Sequence, residues 1–146
     1  MSTAPDLVVI DASMALAWLF ERQQPSDIAR ANRLLAACGE ASWWIPGLWH
    51  LEVSNALLMA ERRSLLPQAD SDRFLARLGS LPFFTDSDAV ADRRSRILAL
   101  ARSHVLSSYD ATYLELAQRL GAALASFDRQ LNRAAVALGV ALFADP

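Results

Sequence analysis

The sequence predicts a three-layer α/β/α sandwich with a mostly parallel central sheet, in one domain over residues 1–146. Three observations predict it. Leu7–Ile10 is an apolar run without alternation, as suits a strand buried on both faces. Short apolar runs then alternate with stretches of helical period along the whole chain, the pattern of repeated βαβ units. Two of the short runs, 7–10 and 122–127, deliver a carboxylate at their carboxyl ends, Asp11 and Asp128, where parallel sheets place their sites.

Taken in order, the first strand meets Asp11 and then Ser13. Either residue caps the helix that follows or both belong to a site at the sheet edge, and other carboxylates have to decide between the two. Residues 14–20, MALAWLF, continue as a short helix that is apolar all round, which requires burial on every side or a partner over one side. Residues 25–38 open on Pro-Ser-Asp, good first-turn chemistry. They carry Ile28, Ala31, Leu34, Leu35 and Cys38 at helical spacing and stop at Gly39. Residues 42–46, SWWIP, form a strand closed by proline, and Gly47 opens the next element.

Residues 48–63 make the most informative helix. At about 100° per residue, His50, Ser54 and Glu61 share one side while Leu48, Val53, Ala56, Met59 and Ala60 define the other. Glu52 falls inside the apolar arc, with Asn55 one turn on along the same flank. A carboxylate there costs several kcal/mol unless cations or donors face it. It either serves a function or snorkels out at the helix start.

Residues 67–78 read as a scaffold helix with Phe74, Leu75 and Leu78 inward. Residues 81–85, LPFFT, read as a strand that its proline sends toward an edge. A helix over 86–103 follows, striped by Val90, Ile97, Leu98 and Ala101, its Arg93, Arg94 and Arg96 on a solvated face, and His104 lies in the loop beyond. Neither His104 nor His50 has a metal-ligating neighbour at ligand spacing. The helix over 107–120 begins with two candidate caps and sets Asp110, Tyr113, Leu114 and Ala117 on one stripe, with Glu115, Gln118 and Arg119 on the outer face. First-turn dipole stabilisation accounts for Asp110 nearly as well as a site does. Gly121 ends that helix, and the 122–127 strand delivers Ser126 and Asp128 as the first strand delivers Asp11 and Ser13. A last helix over 129–138 and a closing strand over 140–143 complete the chain.

Composition narrows the function. Hydrophobic residues are 53% of the chain and the mean hydropathy is +0.19. Disorder is therefore excluded, yet no apolar run approaches the roughly 20 residues of a membrane span. The start, MSTAPDL, has no positive n-region before an apolar h-region, so a cytoplasmic location is expected. Cys38 is the sole cysteine, which excludes an internal disulfide and a zinc site of paired cysteines. A net charge of −2 leaves no bulk attraction for nucleic acid, so any RNA contact has to be local. All 14 basic residues are arginine, which removes every mechanism that needs a lysine.

The predicted fold brings Asp11 and Asp128, at strand ends, to the edge where the helices carrying Glu52 and Asp110 begin. Four carboxylates so close repel unless divalent cations offset them, and oxygen-only ligands suit Mg²⁺ or Mn²⁺. With VVIDAS at Asp11, LEVSN around Glu52 and Asn55, YDATYLELA from Tyr109 and SFDRQL at Asp128, nearly the whole chain resembles the PIN-domain ribonucleases. In length and layout it resembles the VapC-like toxins of bacterial toxin-antitoxin pairs. The resemblance implies that Asp11, Glu52, Asp110 and Asp128 hold one or two Mg²⁺ or Mn²⁺ ions, with Ser13, Asn55 and Ser126 in support. Ser126 stands where many members have threonine, a change that keeps the hydroxyl. The resemblance further implies a metal-dependent endoribonuclease that cleaves RNA with metal-activated water, a homodimer, and inhibition by a small antitoxin laid over the 14–20 helix.

Rival readings fail on named residues. A phosphate-accepting receiver domain needs a lysine, and this chain has none. Haloacid-dehalogenase-like phosphatases want an Asp where Ser13 stands, and an Asp-x-Ser-x-Ser adhesion site wants a serine at Ala15. No G-x-G-x-x-G supports dinucleotide binding. A metal-binding interaction module of the same fold, without turnover, remains the alternative.

Overall fold

A computed structural model describes residues 5–143. Four strands form one parallel sheet: β1 (Leu7–Ile10), β2 (Ser42–Ile45), β3 (Phe83–Thr85) and β4 (Ala123–Ala125), in the order β3-β2-β1-β4. Seven helices flank it: α1 (Ala12–Leu16), α2 (Pro25–Ala36), α3 (Gly47–Arg62), α4 (Gln68–Gly79), α5 (Val90–His104), α6 (Ser108–Leu120) and α7 (Arg129–Ala137). The α/β class with its parallel sheet is therefore as the sequence predicts.

β1 is central because its residues are apolar on both faces: Val8, Val9 and Ile10 are wholly buried. Each such side chain contributes about 1.5–3 kcal/mol by leaving water. Register places Val8 beside Trp43 on one flank and Ala123 on the other, so the carboxyl ends of β1 and β4 finish level with each other. β3 is an edge strand, as Pro82 foretells, with Phe84 half exposed. Trp43 and Trp49 are core and meet the Phe83 ring at 5.4 and 4.9 Å, whereas Trp18 and Trp44 are only half-buried. No helix among the described residues is long and apolar enough to cross a membrane.

Several boundaries and faces differ from the sequence reading. The closing strand over 140–143 contracts to a single parallel bridge, Leu124 to Leu142, because only Leu124 exchanges backbone hydrogen bonds with that segment. The 14–20 helix is shorter: α1 ends at Leu16, and Trp18 and Leu19 donate to carbonyls three residues back, a tightening that turns the chain out of the helix. Leu75 and Leu98 are exposed because each lies about 100° beyond a buried neighbour, Phe74 and Ile97. Val90, in the first turn of α5, is exposed too, and Leu100 replaces it in the buried stripe. His104 is the last residue of α5, not part of the loop beyond.

Glu115 is the largest departure. It is buried, not outward, and its carboxylate takes two hydrogen bonds from Arg119 at 2.8 and 3.1 Å. Arg119 also reaches Asp86 at 2.7 Å and Asp88 at 3.1 Å, tying α6 to the segment between β3 and α5. Two carboxylates hold the Arg119 guanidinium firmly in its charged form.

Candidate active site

Asp11 follows β1 with extended backbone and caps α1, accepting the Met14 N–H at 3.0 Å. Asp128 repeats this after β4, capping α7 through the Leu131 N–H at 2.8 Å. Capping and edge placement are therefore not alternatives: a strand that ends in Asp and turns at once into a helix gives both.

The two serines lock this edge. Ser13 Oγ donates to Asp11 Oδ1 at 2.6 Å and accepts the Phe127 N–H at 3.1 Å. Ser126 Oγ donates to the other oxygen, Asp11 Oδ2, and accepts the Asp128 N–H at 2.9 Å. Asp11 is thereby fixed from both sides, and two of these four contacts, Ser126 to Asp11 and Phe127 to Ser13, tie the β1 and β4 ends together. Burial nevertheless pushes its carboxyl up from 3.8 to about 6, against the lowering effect of the two hydroxyls and the Met14 N–H; the Glu52 charge adds to the rise.

Glu52 enters from α3 half-buried. Its Oε1 accepts the Tyr113 hydroxyl at 2.5 Å. Burial raises its carboxyl above the usual range, the Tyr113 hydroxyl lowers it, and the Asp110 charge raises it again. Asp110 lies in the first turn of α6, whose N-cap is Ser107. Burial raises its carboxyl too, and the Asp128 charge adds to that. The four acids thus form an electrostatic chain in which Asp11 feels Glu52, Glu52 feels Asp110 and Asp110 feels Asp128. They are not a closed cage: no three His, Cys, Asp or Glu side chains among the described residues are grouped to hold a metal ion. Asn55 is exposed on α3, one turn from Glu52.

Two features of this edge escape the sequence reading. Tyr113 is wholly buried, and its hydroxyl donates to Glu52. Its position one turn after Asp110 was the available signal, but an aromatic residue in a buried stripe reads as core. Phe127, between Ser126 and Asp128, carries the Arg22 and Arg30 guanidinium groups 4.2 and 4.6 Å from its ring centre, with Asp27 paired to both arginines. Nothing in the local sequence announces that contact. A cleft of about 570 Å³ adjoins it, lined by Ser13, Leu16, Phe20, Arg22 and Arg129 among others.

A parallel sheet whose strand ends gather carboxylates, without a histidine or cysteine among them, defines an α/β protein with an acidic edge suited to hard divalent cations. The chain belongs to the PIN domain family, whose model matches residues 8–137. Ribonuclease VapC3 of Pyrobaculum aerophilum is 32% identical over 124 residues, 85% of this chain and 91% of that protein. Ribonuclease VapC9 of Mycobacterium tuberculosis is 31% identical over 126 residues, 86% of this chain and 89% of that one. Among solved structures, PAE2754 from Pyrobaculum aerophilum has a TM-score of 0.66 at 25% identity, covering 87% of this chain and 84% of its own. FitAcB from Neisseria gonorrhoeae shares the fold, with a TM-score of 0.63 at 18% identity over 93% of this chain and 96% of its own.

Proposed function

We propose that this protein is a metal-dependent endoribonuclease, the toxin of a toxin-antitoxin pair, built as one PIN-like domain over residues 1–146. The observation that carries the reading is the acidic chain from Asp11 to Asp128 at the sheet edge, in a chain similar over most of its length to two VapC ribonucleases. The donor chemistry fits Mg²⁺ or Mn²⁺: all four groups are carboxylates, and three are raised by burial and by one another, a cost that a cation relieves. The lack of a three-carboxylate cage among the described residues is compatible with Mg²⁺, which keeps several waters and takes only one or two carboxylates directly.

In this reading Asp11 and Asp128 are direct ligands, and Glu52 and Asp110 complete the shell or orient water. Ser13 and Ser126 hold Asp11 in one rotamer, and Asn55 stands by on the α3 flank. A cation held there would supply an activated water at neutral pH and charge stabilisation for the leaving oxygen, so no histidine base would be required. Arg129, in the cleft beside Ser13, gives RNA phosphates a local cationic contact that the net charge of −2 does not supply. The protein works in the cytoplasm as a homodimer, and a small antitoxin covers the half-buried residues 16–20 next to the same cleft.

Antitoxin-free protein incubated with structured RNAs in Mg²⁺ or Mn²⁺ tests the reaction. Cleavage is expected, and EDTA or Asp11→Asn is expected to abolish it. Cleavage that survives either control overturns the metal mechanism, and RNA binding without cleavage overturns the enzyme in favour of a binding module.

A further inference from the structure

We propose that Tyr113 is a positioning residue that aims Glu52 at the cation, an inference that rests on the reading of Glu52 as part of the metal shell given above. The phenol sits where two of the acid-bearing elements meet. Tyr113 belongs to α6, one turn beyond Asp110; its hydroxyl donates to Glu52 Oε1 on α3 at 2.5 Å. A single buried oxygen therefore ties α6 to the carboxylate of Glu52 on α3.

The consequence for Glu52 is specific. A glutamate has three side-chain torsions, and holding it in one arrangement costs rotamer freedom. Tyr113 settles that cost during folding by binding Oε1, which leaves Oε2 as the oxygen free to face a ligand. Ser13 and Ser126 do the same for Asp11, where both carboxylate oxygens take a hydroxyl donor. A tyrosine that only filled the core would satisfy its proton on any carbonyl. Here the proton goes to one of the four acids, and the ring, 1% exposed, has no freedom to turn away.

Outer-shell hydrogen-bond partners of metal ligands typically change metal affinity by about 10–100-fold when removed. Tyr113→Phe deletes one oxygen and keeps the ring, so the test is Mn²⁺ affinity of metal-free protein, measured by calorimetry alongside the thermal midpoint without metal. Tyr113→Phe is expected to weaken Mn²⁺ binding about 10-fold, and Glu52→Gln is expected to remove that difference, since the phenol acts only through Glu52. Introducing 4-aminophenylalanine at position 113, which restores a donor, is expected to recover most of the affinity, and it serves as the comparison should the Phe variant fold poorly. Equal Mn²⁺ affinity of wild type and Tyr113→Phe, or an undiminished loss in the Glu52→Gln background, overturns the positioning role. A wild-type protein that binds no Mn²⁺ and cleaves no RNA overturns instead the metal-dependent reading on which it rests.

Discussion

At the scale of the residue, Asp11 carries the site's electrostatic tension. A carboxyl raised from 3.8 to about 6 by burial means that the folded protein holds a proton the unfolded chain gives up between those values. The stability this group contributes is therefore fully present below about pH 3.8 and lost as pH rises through 6. Glu52 and Asp110, raised mainly by burial as well, act in the same sense. In metal-free protein, Asp11→Asn is expected to gain roughly 2 kcal/mol on wild type between pH 4.5 and 7.5, read from urea unfolding in EDTA. Parallel pH profiles for the two proteins would rule this out. Asp11 and Asp128 were legible from sequence because a carboxylate directly after an apolar strand has few other places to be. Tyr113 was not, since its role lies in a hydrogen bond across 61 residues of chain.

At the scale of the element, α6 shows how a helical wheel can mislead. The wheel faces Glu115, Gln118 and Arg119 outward, yet Glu115 is buried and Arg119 mostly covered. The reason is α5, packed along α6, and the Asp86 segment, which together turn a surface flank into an interior one. Without Arg119 the buried Glu115 keeps only Arg93, 3.9 Å away, so Arg119→Ala is expected to cost about 3 kcal/mol. Removing the exposed partner of the Arg73–Asp70 pair with Arg73→Ala is expected to cost at most about 1 kcal/mol. Urea midpoints decide it, and equal losses for the two would contradict the buried network. In α3 the sequence sets Glu52 within an arc of Leu48, Val53, Ala56, Met59 and Ala60, whereas the fold buries Trp49, Val53, Leu57 and Ala60, so Glu52 lies at the margin of the buried face and is half-buried.

At the scale of the whole molecule, the acidic edge and the fold are coupled, because a cation that binds only the folded chain stabilises it by mass action. At 100 times its dissociation constant Mn²⁺ adds about 2.7 kcal/mol, which for a chain of this size raises the thermal midpoint by on the order of 5–10 °C. That rise is expected in wild type and absent in Asp11→Asn; a shift of the same size in both would place the ion elsewhere. The sequence by itself determined the strand and helix order and the two acids at the strand ends, because hydrophobic period and chain punctuation are local properties. It also singled out the helix positions of Glu52 and Asp110, through the same periodicity. Only the tertiary structure decided that the fifth strand is a single bridge, that Glu115 is interior, that Arg22 and Arg30 lie on Phe127, and that Tyr113 binds Glu52. Each of these depends on which distant segment lies opposite, and that follows from how the layers pack, which no local pattern encodes.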